Sequence, residues 1–218
     1  MSRRGRFVVL EGLDGAGTTT QAARLARSLR REGHRVVLTR EPSSGPVGVL
    51  LRQALKTGRG AGQRRLSEAT LALLFAADRL DHLASTVEPA LASGAVVISD
   101  RYVLSSLAYQ GRVLDLPWLK ALNAQAPAAD LTLFLQVRPG VAAARRRLRG
   151  GRAERFDDAR TQAAVSRVYD LVLSRHVRTH HVRRLNGELG LKAVADQVKV
   201  AVDALLSPAS GRTKRRLR

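Results

Sequence analysis

The segment that most restricts what this chain can fold into lies at its start. An apolar run at residues 7–10 (Phe-Val-Val-Leu) passes directly into Glu11-Gly12-Leu13-Asp14-Gly15-Ala16-Gly17-Thr18-Thr19-Thr20-Gln21. A helical pattern follows, with Ala22, Leu25, Ala26 and Leu29 on one face. Strand, glycine turn and helix N-terminus in that order make a phosphate-binding loop at residues 12–19. The glycines let the backbone wrap phosphate oxygens, several N–H groups point inward, and the helix dipole adds positive potential. Gly12, Leu13, Asp14, Gly15, Ala16, Gly17, Thr18, Thr19 and Thr20 are therefore the candidate nucleotide-phosphate contacts. Thr19 stands where the loop hydroxyl holds Mg²⁺. Thr18 stands where such loops carry lysine, and its neutral hydroxyl bond is roughly half as strong as a charge-assisted one. The competing reading of the segment is a tight glycine turn with a threonine N-cap.

Downstream, short Val/Ile/Leu-rich runs at 36–38, 96–98 and 131–137, with a weaker one near 182–185, alternate with longer helical patterns. Runs of that kind read as strands buried on both faces of a parallel sheet, and the alternation predicts an α/β, doubly wound architecture. With 218 residues the chain has length for one well-buried domain. Residues 58–63 and 149–158 read as loops, and the basic tail 207–218 as disordered.

Absence of cysteine excludes disulfides, thiolate catalysis and Cys-ligated zinc. The N-terminal apolar run is too short for a signal segment, no stretch approaches a membrane span, and the expectation is a cytoplasmic location without membrane contact. A formal net charge of +20, nearly all arginine, points to polyanionic partners or to arginines spread over solvated faces. Few aromatics interleave with them, so weak nonspecific nucleic-acid binding through the tail is the most the pattern implies.

Past the loop, the sequence resembles the thymidylate kinase family of the bacterial kind. Its motifs occur in the family order: Glu11 to Gly17, then Thr39-Arg40-Glu41-Pro42, Leu74-Phe75-Ala76-Ala77-Asp78-Arg79, Asp100-Arg101-Tyr102, Ser105-Ser106-Leu107-Ala108-Tyr109-Gln110-Gly111, Asp130 to Leu135, and a basic stretch from Arg149 to Phe156. The resemblance implies a three-layer P-loop NTPase fold with a five-stranded parallel sheet and a short lid at 149–158. It implies transfer of the ATP γ-phosphoryl group to dTMP with Mg²⁺, and a homodimer.

It also implies the site. Asp100 and Thr19 hold the metal. Arg101 and Arg40 bind phosphate, with Pro42 stiffening the turn. Phe75 stacks on thymine, Arg79 reaches its O4 carbonyl, and Ser106 meets the N3 edge. Tyr109 lies under the deoxyribose, with Ser105 and Gln110 in the same pocket, and Asp14 approaches the sugar 3′-hydroxyl. Glu11 contributes to the same side. In this family a catalytic arginine comes from the loop or the lid. The loop has none, so Arg152 and Arg155, with Arg149 behind them, are the candidates for the transition-state charge. Alternatives to an active dTMP kinase are a nucleotide-binding protein that has lost turnover, a kinase of broader deoxynucleoside monophosphate range, and a nucleic-acid-binding module.

Overall fold

The computed structural model describes residues 4–57, 65–150, 155, 156, 158–176 and 181–207. Five strands form one parallel sheet: β1 (Arg6–Gly12), β2 (Val36–Arg40), β3 (Val96–Asp100), β4 (Leu131–Gln136) and β5 (Val182–Asn186), in the order β2-β3-β1-β4-β5. The α/β doubly wound expectation is met. The helices around the sheet are α1 (Thr18–Arg31), α2 (Pro46–Thr57), α3 (Glu68–His82), α4 (Glu88–Ala92), α5 (Val103–Gln110), α6 (Leu116–Leu122), α7 (Pro139–Arg149), α8 (Ala159–His176) and α9 (Leu191–Leu206). A π-helical turn, Leu83–Val87, joins α3 to α4.

The strand interiors follow from composition. β1, β3 and β4 are almost wholly buried, as continuous apolar runs must be when helices cover both faces. The two edge strands depart from that expectation. β2 is only partly buried, and β5 carries exposed Arg183 and Arg184 beside buried Val182. An edge strand has one neighbour and incomplete cover, and charged side chains there discourage pairing with another chain. In α1, Ala22, Leu25, Ala26 and Leu29 are buried as the periodicity requires.

Strand register decides what meets at the C-terminal edge of the sheet. Leu10 of β1, Arg40 of β2 and Asp100 of β3 are level with one another. Past them the ladder continues briefly: Arg101 N–H donates to the Leu10 carbonyl and Glu41 N–H to the Asp100 carbonyl. Three strand ends therefore deliver Glu11–Gly12, Arg40–Glu41 and Asp100–Arg101 to one crevice, where parallel sheets of this kind bind ligands. Residues 58–63, most of the lid and the tail beyond Ser207 lie outside the described residues.

Candidate active site

At the end of β1 the chain turns back on itself, with Ala16 N–H donating to the Leu13 carbonyl at 2.9 Å. Gly15 and Gly17 have φ of 89° and 98°, a region that side chains with a Cβ avoid. Gly15 has a second reason: a Cβ there would lie 2.4 Å from the Ala142 carbonyl oxygen, because α7 packs directly on the loop. The N-cap of α1 is Gly17, without a side-chain hydrogen bond. A threonine cap is therefore not what ends this turn. The N–H groups of the first helical turn stay available to an anion.

Thr19 Oγ1 donates to Asp100 Oδ2 at 2.5 Å. Asp100 Oδ1 is buried and has no hydrogen-bond partner among the described residues. Asp100 does not cap the helix after it. That task falls to Glu11, whose Oε1 accepts from Tyr102 N (2.9 Å) and Ser105 N (3.1 Å) at the start of α5. A hydroxyl and a carboxylate with one unpaired oxygen, facing a phosphate loop, fit Mg²⁺. That ion takes hard oxygen donors and is typically held by one or two carboxylates plus phosphates. Among the described residues no cluster of three or more His, Cys, Asp or Glu offers a protein-only cage.

Glu11 is thus a positioning residue rather than a contact in the crevice. Its Oε2 accepts from Ser105 Oγ (2.6 Å) and from the Tyr169 hydroxyl (3.0 Å). Burial raises its pKa, against the pull of the Arg101 guanidinium and these hydrogen bonds.

Arg101 has φ of 78°, a strained backbone for a residue with a side chain, costing about 1–3 kcal/mol. The ladder bond to Leu10 and the side-chain contacts hold it there. Nη1 donates to the Gly12 carbonyl (2.9 Å) and Ser105 Oγ (3.0 Å), and Nη2 pairs with Asp14 Oδ1 (2.6 Å). The guanidinium also lies 5.3 Å from the Tyr109 ring centroid. Asp14 Oδ2 accepts from Gln162 Nε2 at 2.9 Å. Each oxygen of Asp14 thereby accepts one hydrogen bond, and each has a further lone pair for a sugar hydroxyl.

An aromatic cavity opens beside this pair. Asp14, Pro42, Phe75, Arg79, Arg101, Ser105, Ser106, Tyr109 and Gln110 line it, so the candidate acceptor residues other than Arg40 come together. Phe156, Tyr102, Leu55 and Glu41 complete the wall. Burial and the nearby Asp14 carboxylate push the Tyr109 phenol pKa up against the opposing Arg101 charge. Gln110 is fully buried, and both atoms of its amide lack partners among the described residues. Arg79 is also buried, and its fork is committed inside the protein: to Glu41 Oε2 (2.7 Å), Ser106 Oγ (3.0 Å) and Asn123 Oδ1. Only its Nε is unpartnered. The Glu41–Arg79 pair and the Asn123 contact are absent from the sequence reading. Glu41 was visible as part of a motif, but Asn123 sits in no motif and is brought in by α6.

Two further clefts flank the phosphate loop. One, of about 430 Å³, is lined by Asp14, Gly15, Gly17, Thr18, Thr19 and Thr20 with Arg40, Pro42, Arg52, Lys56, Asp100 and Arg101. The other, of about 520 Å³, lies on the far side between Gly15–Gln21 and the turn from Gly187 to Gly190, with Arg145 on its wall. Arg145 Nη1 donates to the Gly187 carbonyl at 2.8 Å, and Arg146 donates to the Asp14 carbonyl from the next position of α7. Both volumes fall within about 300–1,000 Å³, the usual span of small-molecule sites.

The lid arginines divide. Arg152 lies outside the described residues, and so does the side chain of Arg149. Arg155 turns onto α3, pairing with Glu68 Oε1 at 3.0 Å and donating to the Leu66 carbonyl at 3.1 Å. This contact holds the Arg155 guanidinium at the start of α3. Its Nε and Nη1 are buried without partners among the described residues.

The chain matches the thymidylate kinase family model over residues 10–196. The chain belongs to the thymidylate kinase family. It is thus a nucleoside monophosphate kinase by family. Among similar proteins, one from Thermococcus gammatolerans named "Probable thymidylate kinase" is 50% identical over 137 residues, covering 61% of this chain and 66% of that protein. One of the same name from Pyrococcus horikoshii is 45% identical over 155 residues, covering 71% and 75%. "Thymidylate kinase" of Xanthomonas oryzae pv. oryzae is 45% identical over 154 residues, covering 70% and 65%. The match to this thymidylate kinase family member thus spans about two thirds to three quarters of its relatives' lengths.

Proposed function

We propose that the chain transfers the γ-phosphoryl group of ATP to dTMP, giving dTDP and ADP. The observation that carries this is shared walls. Asp14 and Arg101 line both the aromatic cavity and the loop cleft, while Gly15, Gly17 and Thr20 line both the loop cleft and the far cleft. A donor base and sugar on the far side, a triphosphate over the loop and an acceptor in the aromatic cavity then meet with their phosphates adjoining. Phosphoryl transfer asks for that placement and for compensating charge, and for little covalent help.

Each residue has a part in this scheme. The α1 amides and Thr18 cradle the donor phosphates. Thr19 and Asp100 would hold Mg²⁺, which would supply positive charge to the donor phosphates. Arg101 sits between both substrates and stabilises charge on the group in flight. The ion pair with Asp14 and the Gly12 carbonyl fix its guanidinium before any substrate arrives. Arg40, exposed on β2 and level with Asp100, takes the acceptor phosphate. Phe75 offers the thymine ring a face, and Tyr109 underlies the deoxyribose. The unpartnered polar atoms around the cavity complement thymine: Arg79 Nε donates to a base carbonyl, and the Gln110 amide accepts from N3–H while donating to a neighbouring carbonyl. Ser106 acts by holding Arg79.

The chain is of the lid-arginine subtype on this reading. Arg155 anchors the lid base to Glu68, and Arg152 carries the charge that closes over the triphosphate. A homodimer forms through helices on one side of the sheet. Leu73 and Leu80, both exposed and two turns apart on α3, support that assignment. The protein works in the cytoplasm, and its tail binds nucleic acid weakly and without sequence preference.

The test is a coupled ADP-release assay with ATP, Mg²⁺ and a panel of nucleoside monophosphates. Turnover with dTMP that vanishes on chelation of Mg²⁺ is the expected result. Absence of dTMP-dependent ADP at high enzyme and saturating ATP refutes the reading.

A further inference from the structure

The phosphate loop brings no charged side chain to its Thr18 position, yet it faces a triphosphate. Thr18 is buried in the loop wall, and its hydroxyl is neutral. The charge such a site needs must come from outside the loop. The loop cleft contains four cationic side chains: Arg40, Arg52, Lys56 and Arg101. Three of these have other work. Arg101 is tied to Asp14, the Gly12 carbonyl and Ser105. Arg52 donates to the carbonyls of Pro42 and Ser43, bracing the turn after β2. Arg40, exposed at the end of β2, is the residue assigned above to the acceptor phosphate.

Lys56 is different. It projects from the last turn of α2, one turn beyond Arg52 on the same face, and lines the cleft together with Thr18, Thr19 and Asp100. It is exposed, and among the described residues it makes no hydrogen bond or ion pair. α2 is oriented by burying Leu51 and Ala54, which leaves Arg52, Leu55 and Lys56 toward the cleft. A lysine near a helix C-terminus also complements the helix dipole, a role that concerns stability alone. The cleft position asks for more than that. A compact ammonium on a flexible four-carbon stem can reach phosphate oxygens as a point charge, which is the part a loop lysine plays.

We propose that Lys56 supplies, from across the cleft, the ammonium that phosphate loops ordinarily carry at the position of Thr18. Its ligand is the terminal part of the donor triphosphate. The proposal rests on the kinase reading above.

A charge-and-position cycle tests it, by steady-state kinetics on wild type, Lys56→Met, Lys56→Arg, Thr18→Lys and the double variant Thr18→Lys/Lys56→Met. Loss of one charge contact made in the transition state predicts a fall of about 100-fold in kcat/KM for ATP in Lys56→Met. KM for dTMP stays within about twofold, since the acceptor cavity lacks this residue. Lys56→Arg keeps most of the activity. With a lysine at position 18, Lys56→Met costs less than about threefold, because the two ammonium groups do one job. An equal loss in both backgrounds, or no loss at all, overturns the proposal. Thr18 is buried, so Thr18→Lys can fail to fold. In that case the series at position 56 decides: equal losses for Met and Arg overturn the proposal, and a loss confined to Met supports it. A wild type without dTMP turnover refutes the kinase reading. A wild type that turns over and is matched by Lys56→Met refutes only the role of Lys56.

Discussion

Glu41→Ala removes the one carboxylate among the described residues that pairs with the buried Arg79 guanidinium. The side chains of the pair are 3% and 1% exposed and meet at 2.7 Å. After the change Arg79 keeps only neutral acceptors, Asn123 Oδ1 and Ser106 Oγ, and His82 loses the Glu41 oxygen 3.4 Å from its Nδ1. Breaking a buried pair by deleting one partner costs roughly 3–5 kcal/mol, because the remaining charge is stranded out of water. In a domain of this size each kcal/mol moves Tm by about 2–4 °C, so the expected drop is about 6–20 °C. Urea unfolding and calorimetry measure it. The companion variant Glu41→Ala/Arg79→Met removes both charges and should regain much of the loss, a non-additivity that only a direct pair produces. Both variants weaken dTMP binding, since Glu41 and Arg79 line the acceptor cavity. A Tm for Glu41→Ala within about 2 °C of wild type, or a double variant as unstable as the sum of the singles, would refute the reasoning.

Other outcomes follow from the same network. Glu11 has its pKa raised by burial, so the folded state binds its proton more tightly than the unfolded state does. Its contribution to stability is therefore greatest below the ordinary glutamate pKa and is lost as pH rises through the folded value. Glu11→Gln should flatten the pH dependence of urea midpoints above the ordinary glutamate pKa, and an unchanged slope would show that Glu11 does not titrate there. Gln110→Met removes a buried amide that has no partner among the described residues, worth about 1–3 kcal/mol of desolvation. Its Tm should match or exceed wild type while KM for dTMP rises about tenfold; a normal KM would separate Gln110 from base recognition. Thr19→Ala should raise the Mg²⁺ concentration for half-maximal activity by about 10–100-fold with KM for dTMP unchanged, read by metal titration of the initial rate. An unaltered Mg²⁺ requirement would remove Thr19 from the metal site.

Much of the site was legible because its residues lie in short contiguous motifs at strand ends. Asp100 and Arg101 close β3, Arg40 closes β2, and the loop follows β1, so one parallel register brings them together. Phe75 and Arg79 share a helical face, as do Ser106 and Gln110, which puts them in one wall. The groups that were not legible act from a distance along the chain. Gln162 and Tyr169 reach back from α8 to Asp14 and Glu11, Asn123 from α6 to Arg79, and Arg145 from α7 to the turn at Gly187. None stands in a pattern that distinguishes it from an ordinary helical residue. Gln162 and Tyr169 were hidden in an amphipathic helix, where polar and aromatic residues are expected for packing alone.

By itself the sequence determined the order of strands and helices, the glycine loop and the family. Those depend on local periodicity and on backbone conformations that few residues can adopt. Tertiary structure alone decided which charges remain available. It tied Asp14 to Arg101 and Gln162, buried Arg79 against Glu41, turned Arg155 onto Glu68 and left Lys56 open on the cleft that Thr18 also lines. The reason is physical. A side chain's chemistry is written in its residue type, but its partners are set by packing between segments far apart in the chain, and an ionic group already paired in the folded protein has less to offer a substrate.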